Sequence, residues 1–136
     1  MPRILSLDYG TQRTGIATTD PQQIIATALT TVETPRLRDF LADYLRREEV
    51  EKIVIGETTR ADGSQSPLEP AIQTLIADLQ KAYPHLQFDR HEEARTSLRA
   101  REIINFSVRS PKKRQDKSLV DRISALIILQ EYLGFI

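Results

Sequence analysis

Acidic side chains are the residues of this chain best suited to chemistry, and they fall at three places: Asp8, the pair Glu92-Glu93, and Asp121. Asp8 ends the apolar run Leu5-Ser6-Leu7 and opens a turn bounded by Gly10, after which the chain resumes at Thr14-Gly15-Ile16-Ala17. A carboxylate beside low-dielectric core loses solvation and needs hydrogen bonds, a cationic partner or a metal ion. Asp8 therefore either caps its own turn, as Asp side chains do by accepting from backbone N–H groups two residues on, or serves a site. Glu92 and Glu93 follow His91 into Ala94-Arg95-Thr96-Ser97, where the dipole of a starting helix favours acids in any case. Asp121 lies in Leu119-Val120-Asp121-Arg122-Ile123; it makes a capping-box-like pair with Ser118, yet Val120 and Ile123 suggest that this turn already faces a core. Brought together, such carboxylates repel one another, and divalent cations make an oxygen-only cluster tolerable. Ions held by such a cluster can activate a bound water for attack.

Other chemistries are poorly served. The chain has no cysteine, hence no disulfide framework, thiolate zinc site or cysteine nucleophile, and its two histidines, His85 and His91, form no ligand cluster. Its 19 basic and 19 acidic residues balance, so nucleic-acid binding would rest on a local basic patch. No apolar run approaches the roughly 20 residues that span a bilayer, and Met1-Pro2-Arg3 leads straight into a strand rather than a signal peptide; a soluble cytoplasmic protein is expected. At 136 residues, one domain covering 1–136 is expected, with a real core but no second domain to form a cleft.

The elements that must position the acids follow from pattern. After the first strand, Thr14 to Thr19 and Ile24 to Val32 read as two more strands around the Asp20-Pro21 turn signal, giving an antiparallel meander. Thr34-Pro35 resembles an N-cap with proline at the first helical position, and Leu37, Phe40, Leu41, Tyr44 and Leu45 supply one apolar helical face. Ile53-Val54-Ile55 is apolar on both faces, as a central strand is, and Gly56 ends it. A polar loop from Glu57 to Gln65 follows. Ser66-Pro67-Leu68-Glu69 has the form of a capping box opening a helix through Leu79. Leu86 to Arg90 reads as a last strand, Thr96 to Phe106 and Lys117 to Tyr132 as helices. Pairing the first and fourth strands in parallel gives an α/β fold: a five-stranded mixed sheet of order 3-2-1-4-5 with helices on both faces. Ligands collect at the carboxyl ends of parallel strands, where Asp8 lies.

Four blocks in order, Leu7-Asp8-Tyr9-Gly10 through Gly15-Ile16-Ala17, Ile53-Val54-Ile55-Gly56, Glu92-Glu93-x-x-Thr96-Ser97, and Val120-Asp121-x-Ile123-Ser124-Ala125 through Tyr132-Leu133, resemble the YqgF family across essentially the whole chain. That family is described as Holliday junction resolvase-like, has an RNase H-like fold, and is assigned to nuclease trimming of the 5′ end of precursor 16S rRNA. By position, the resemblance puts the family's strand-one aspartate on Asp8, its Asp-Glu-Arg glutamate on Glu93 and its helix aspartate on Asp121. This chain differs in having Ala94 where the family usually has arginine, and Glu57-Thr58 where it usually has Leu-Pro. Glu57 is then either a further ligand or loop polarity.

The resemblance implies a magnesium- or manganese-dependent nuclease with Asp8, Glu93 and Asp121 as catalytic and metal-binding residues. Asp8 would bridge two ions while Glu93 and Asp121 each hold one. Lys112, Lys113, Arg114 and Lys117 precede the helix of Asp121 and would grip substrate phosphates, with Arg95, Arg99 and Arg101 able to extend that grip. No aromatic RNA-reading pair or zinc finger points to base reading. A precursor RNA is the expected partner, a DNA junction cleaved by a resolvase-type endonuclease the alternative, and a non-catalytic ribosome-assembly module a third reading; monomer and homodimer both stay open, and no membrane is involved. Actin-like and sugar-kinase ATPases share Asp8-Tyr9-Gly10-Thr11, but they close two such domains over nucleotide, for which this chain is too short.

Overall fold

Five strands form a single mixed sheet: β1 (Arg3–Tyr9), β2 (Arg13–Thr19), β3 (Ala26–Glu33), β4 (Val50–Glu57) and β5 (Gln87–Glu92). The computed structural model describes residues 2–57, 66–92 and 117–136, the side chain of Lys117 excepted. The expected helix over 96–106 and the connector at 110–115 lie outside them. Spatial order is β3-β2-β1-β4-β5, with β1 antiparallel to β2, β2 antiparallel to β3, and β4 parallel to both β1 and β5, as the sequence predicts.

Three described helices cover the two faces. On one face, α1 (Leu37–Arg47) and α2 (Glu69–Ala82) bury Leu37, Leu41, Tyr44, Ile72, Leu75 and Leu79 against Leu5, Leu7, Ile16, Ile53 and Ile55. On the other, α3 (Lys117–Leu133) lays Ala125, Ile128 and Leu129 on Ile4, Ala17 and Val54. Residue parity explains the division, because successive side chains of a strand point to opposite faces. β1 sends Leu5 and Leu7 one way and Ile4 the other, and β4 divides Ile53 and Ile55 from Val54 in the same manner. The triplet Ile53-Val54-Ile55 is apolar throughout because both of its faces are covered.

Three local readings need correction. The third strand starts at Ala26 rather than Ile24, because Asp20 Oδ1 accepts the N–H groups of Ile24 and Ile25 at 2.8 and 2.7 Å and keeps both residues in the hairpin loop. Thr34 does not cap α1: it begins a 3-10 turn, Thr34–Arg36, and its hydroxyl donates to Gly10 O at 2.6 Å and bonds Thr14 Oγ1 at 3.0 Å. Ser66 and Glu69 form no capping box. Glu69 starts α2 with its carboxylate turned to Arg90, whose Nη1 and Nη2 donate to Oε2 and Oε1 at 2.6 and 2.8 Å. Arg90 also donates to Ile55 O and Gly56 O, so one guanidinium clips the ends of β4 and β5 to α2.

Candidate functional site

Asp8 is the penultimate residue of β1, on the face that α3 covers, in line with Ile4 and Ser6. Two observations fix α3 over it. Ser6 Oγ donates to Ala125 O at 2.6 Å, locking helix to strand. Asp8 pairs across the antiparallel ladder with Gly15, and a Cβ built on Gly15 would lie 1.9 Å from the backbone oxygen of Asp121. The helix thus rests directly on the glycine, a close approach that only a residue without a side chain permits. The spacing is consistent: Ser6 to Asp8 advances about 6.7 Å along a strand, and Ala125 back to Asp121 about 6 Å along a helix. α3 runs antiparallel to β1, and Asp121 follows Asp8 as Ala125 follows Ser6.

The turn after Asp8 is braced. A Cβ on Gly10 would meet Arg13 O at 2.4 Å, so this corner also requires glycine. Thr34 N donates to Gln12 O at 2.9 Å, and with the Thr34 hydroxyl on Gly10 O it straps the turn to the segment entering α1. At the other edge, the Thr31 hydroxyl donates to Ser118 O and anchors the first turn of α3 to β3. Ser118 lies inside that turn, and the Asp121 carboxylate goes to Arg13, whose Nε donates to Oδ2 at 2.8 Å. Asp121 is 22% and Arg13 35% exposed, so the pair sits at the lip of the sheet rather than in its core.

The structure therefore brings Asp8 and Asp121 to one place. Glu93 lies outside the described residues, directly after Glu92 at the carboxyl end of β5. Lys112, Lys113 and Arg114 lie outside as well, as do Arg95, Arg99 and Arg101; Lys117 opens α3. Among the described residues no three His, Asp or Glu side chains are grouped to hold a metal ion. The donors that are placed suit a hard cation, being carboxylate oxygens without sulfur or imidazole, and a positive charge already rests on one of them. Glu57 and Glu92 pair in register at the exposed ends of β4 and β5. Strand alternation puts Glu57 with Ile53 and Ile55, on the face away from Asp8.

Sequence reasoning missed Arg13. Alternation puts Arg13, Gly15 and Ala17 on one face of β2, but that the helix of Asp121 covers this face is read only from the fold.

A sequence model described as "RuvX: Holliday junction resolvase" matches residues 2–134. The chain belongs to the RuvX family. Its curated relatives include a protein of Christiangramia forsetii, 47% identical over 133 residues and covering 98% of both chains, named "Putative pre-16S rRNA nuclease". A Flavobacterium johnsoniae protein of the same name is 46% identical over 134 residues, 98% of this chain and 97% of its own. Among solved structures, Thermus thermophilus RuvC in complex with a Holliday junction substrate superposes with a TM-score of 0.58 at 15% identity, over 98% of this chain and 97% of that one. The chain therefore has the RNase H-like fold, within a family of nucleases that act on phosphodiester bonds. None of its described helices is long and apolar enough to cross a membrane.

Proposed function

We propose that this RuvX chain is a single-domain, divalent-metal-dependent nuclease that processes the 5′ end of precursor 16S rRNA. The observation that carries the reading is the seating of Asp121 on Gly15, the residue paired with Asp8. The names and the extent of the curated relatives support the RNA substrate. Asp8 and Asp121, joined by Glu93, are the residues that would hold magnesium or manganese. Bound there, the ions would supply the activated water and the charge neutralisation that in-line displacement needs.

The chain's own residues do the positioning. Gly10 and Thr34 hold the turn that follows Asp8, the Ser6–Ala125 bond and the Gly15 contact hold Asp121, and both residues stay partly exposed at the carboxyl edge of the sheet. Lys112, Lys113 and Arg114, just before the helix of Asp121, and Lys117, its first residue, would grip backbone phosphates without reading bases.

The test is a magnesium-dependent cleavage assay on precursor 16S RNA, a generic single-stranded RNA and a four-way DNA junction, run beside Asp8→Asn and Asp121→Asn. Each substitution is expected to lower the rate on the precursor by at least about 100-fold, since a metal ligand carries several kcal/mol of transition-state stabilisation. Full activity in Asp8→Asn would sink the site. Cleavage of the junction alone would move the substrate to DNA, and no cleavage of any substrate would leave a non-catalytic binding module.

A further inference from the structure

Arg13 has no part in the reading above, yet it touches a proposed metal ligand. Its Nε donates to Asp121 Oδ2 at 2.8 Å, and among the described residues its two terminal nitrogens have no recorded partner. Together with Thr11, Gln12, Glu33 and Pro35 it lines an open hollow of about 440 Å³ beside the turn that follows Asp8. Thr11 and Gln12 are exposed at its mouth, and Glu33 is paired with Arg36 at 3.5 Å.

A guanidinium held against Asp121 Oδ2 offsets the negative charge that would draw a divalent ion to the same carboxylate, and a partly exposed pair such as this one is held only modestly. A guanidinium also offers five donors in a planar fork that matches phosphate oxygens two at a time. We propose that Arg13 competes with the metal ion for Asp121 and, once displaced, binds a phosphate of the nucleic-acid backbone in the adjoining hollow. This deepens the proposed function and rests on its assignment of Asp8 and Asp121 to the metal. Arg13 keeps Asp121 neutralised and oriented until an ion arrives, and the ion's arrival frees the fork for substrate.

The experiment has two readouts independent of turnover. Calorimetric titration with manganese alone compares the parent, Arg13→Gln, Arg13→Lys and Asp8→Asn. Fluorescence anisotropy in calcium measures binding of a short labelled single-stranded RNA over a range of salt concentrations. Arg13→Gln is expected to bind manganese about three- to fivefold more tightly, since the competing pair is lost. It should bind RNA more weakly, with a log-log salt slope shallower by about 0.7, the share of one phosphate contact. Arg13→Lys, which keeps the charge without the fork, should retain the competition and lose part of the RNA affinity. Manganese binding unchanged or weakened in Arg13→Gln overturns the proposal, because a mere staple between β2 and α3 would loosen Asp121 and weaken the ion. An unchanged RNA salt slope overturns it equally. If Asp8→Asn leaves manganese affinity at the parent value, the metal site itself fails; if Asp8→Asn abolishes binding while Arg13→Gln matches the parent, only the role of Arg13 fails.

Discussion

Replacing Gly15 by alanine is the sharpest perturbation this architecture allows, because it adds one methyl group at the point where the helix of Asp121 meets the strand paired with Asp8. The new Cβ would lie 1.9 Å from Asp121 O, 2.2 Å from Asp121 C and 2.8 Å from Arg122 N, all backbone atoms. Side-chain rotation cannot relieve such a contact. Reaching even the 3.0 Å that real Cβ atoms respect requires the first turns of α3 to lift by about 1.1 Å. Overpacking of this kind costs about 1–3 kcal/mol in stability. A misplacement of about 1 Å in a group that orients the reacting atoms costs on the order of 100-fold in rate. Gly15→Ala is therefore expected to stay folded by circular dichroism, to melt several degrees below the parent, and to cleave precursor RNA about 100-fold more slowly. Thermal unfolding and single-turnover cleavage, both at saturating magnesium, measure the two effects. A Gly15→Ala protein that keeps parental stability and cleaves at the parental rate would refute the seating of Asp121 on Gly15, and with it the argument that joins Asp121 to Asp8.

The buried Glu69–Arg90 pair should matter for stability rather than chemistry. Glu69→Gln is expected to lose about 2 kcal/mol near neutral pH in chemical denaturation, since it leaves a largely buried guanidinium without its counter-charge. The Arg90 guanidinium holds the Glu69 carboxyl below its ordinary value of 4.5, so the stability it contributes is complete above that value and disappears as pH falls through the lower folded value. The gap between parent and variant should close over the same acid range, and a constant gap would exclude the linkage. Tyr132 donates to Asp89 Oδ2 at 2.6 Å and accepts from Lys52 Nζ at 2.9 Å, holding the Asp89 carboxyl low and the Lys52 ammonium high. Tyr132→Phe should raise the Asp89 pKa, as read by carboxyl NMR titration; an unmoved titration curve would show that the hydroxyl does not reach Asp89. Ser124 is fully buried in α3 and its hydroxyl has no hydrogen-bond partner among the described residues, so Ser124→Ala should leave the melting temperature unchanged or raise it slightly. A clear fall would reveal a bond to the Ser124 hydroxyl.

The sheet was legible because its signals are local and strong. Ile53-Val54-Ile55 names a strand covered on both faces, and Asp20-Pro21 marks the corner between β2 and β3. Capping was less legible, and for a shared reason. Thr34 and Ser66-Glu69 carry the letters of helix starts, but Thr34 and Glu69 found stronger partners far along the chain, Gly10 O for the hydroxyl and Arg90 for the carboxylate, while the Ser66 hydroxyl only accepts from Leu68 N–H two residues on. A charge-assisted bond across 21 residues outweighs a local cap, and no spacing rule reveals it in advance. The convergence of Asp8 and Asp121 needed both the strand order and the resemblance, because 113 residues separate them in the chain. The Arg13–Asp121 pair follows from strand parity once α3 is known to cover Ala17, which only the fold supplies.

The helix that carries Asp121 also packs its apolar side on β1, β2 and β4, so stability and chemistry are coupled through α3. Ala125, Ile128 and Leu129 pack on Ile4, Ala17 and Val54, and Ser6 bonds Ala125 O, within one to two turns of Asp121. α1 and α2, on the opposite face, offer no described acid to the Asp8 turn; their link to the site is the strap from Thr34 at the entrance to α1. Loosening the two layers should therefore have different consequences. Shrinking Ile128 to valine loosens the base on which Asp121 rests, whereas shrinking Ile72 to valine in α2 removes a similar volume from the other core. Each costs about 1 kcal/mol in stability. Only the first acts on the helix that carries a proposed ligand, because the Gly15 contact fixes the height of Asp121 above Asp8 and α3 transmits its own displacement to that contact.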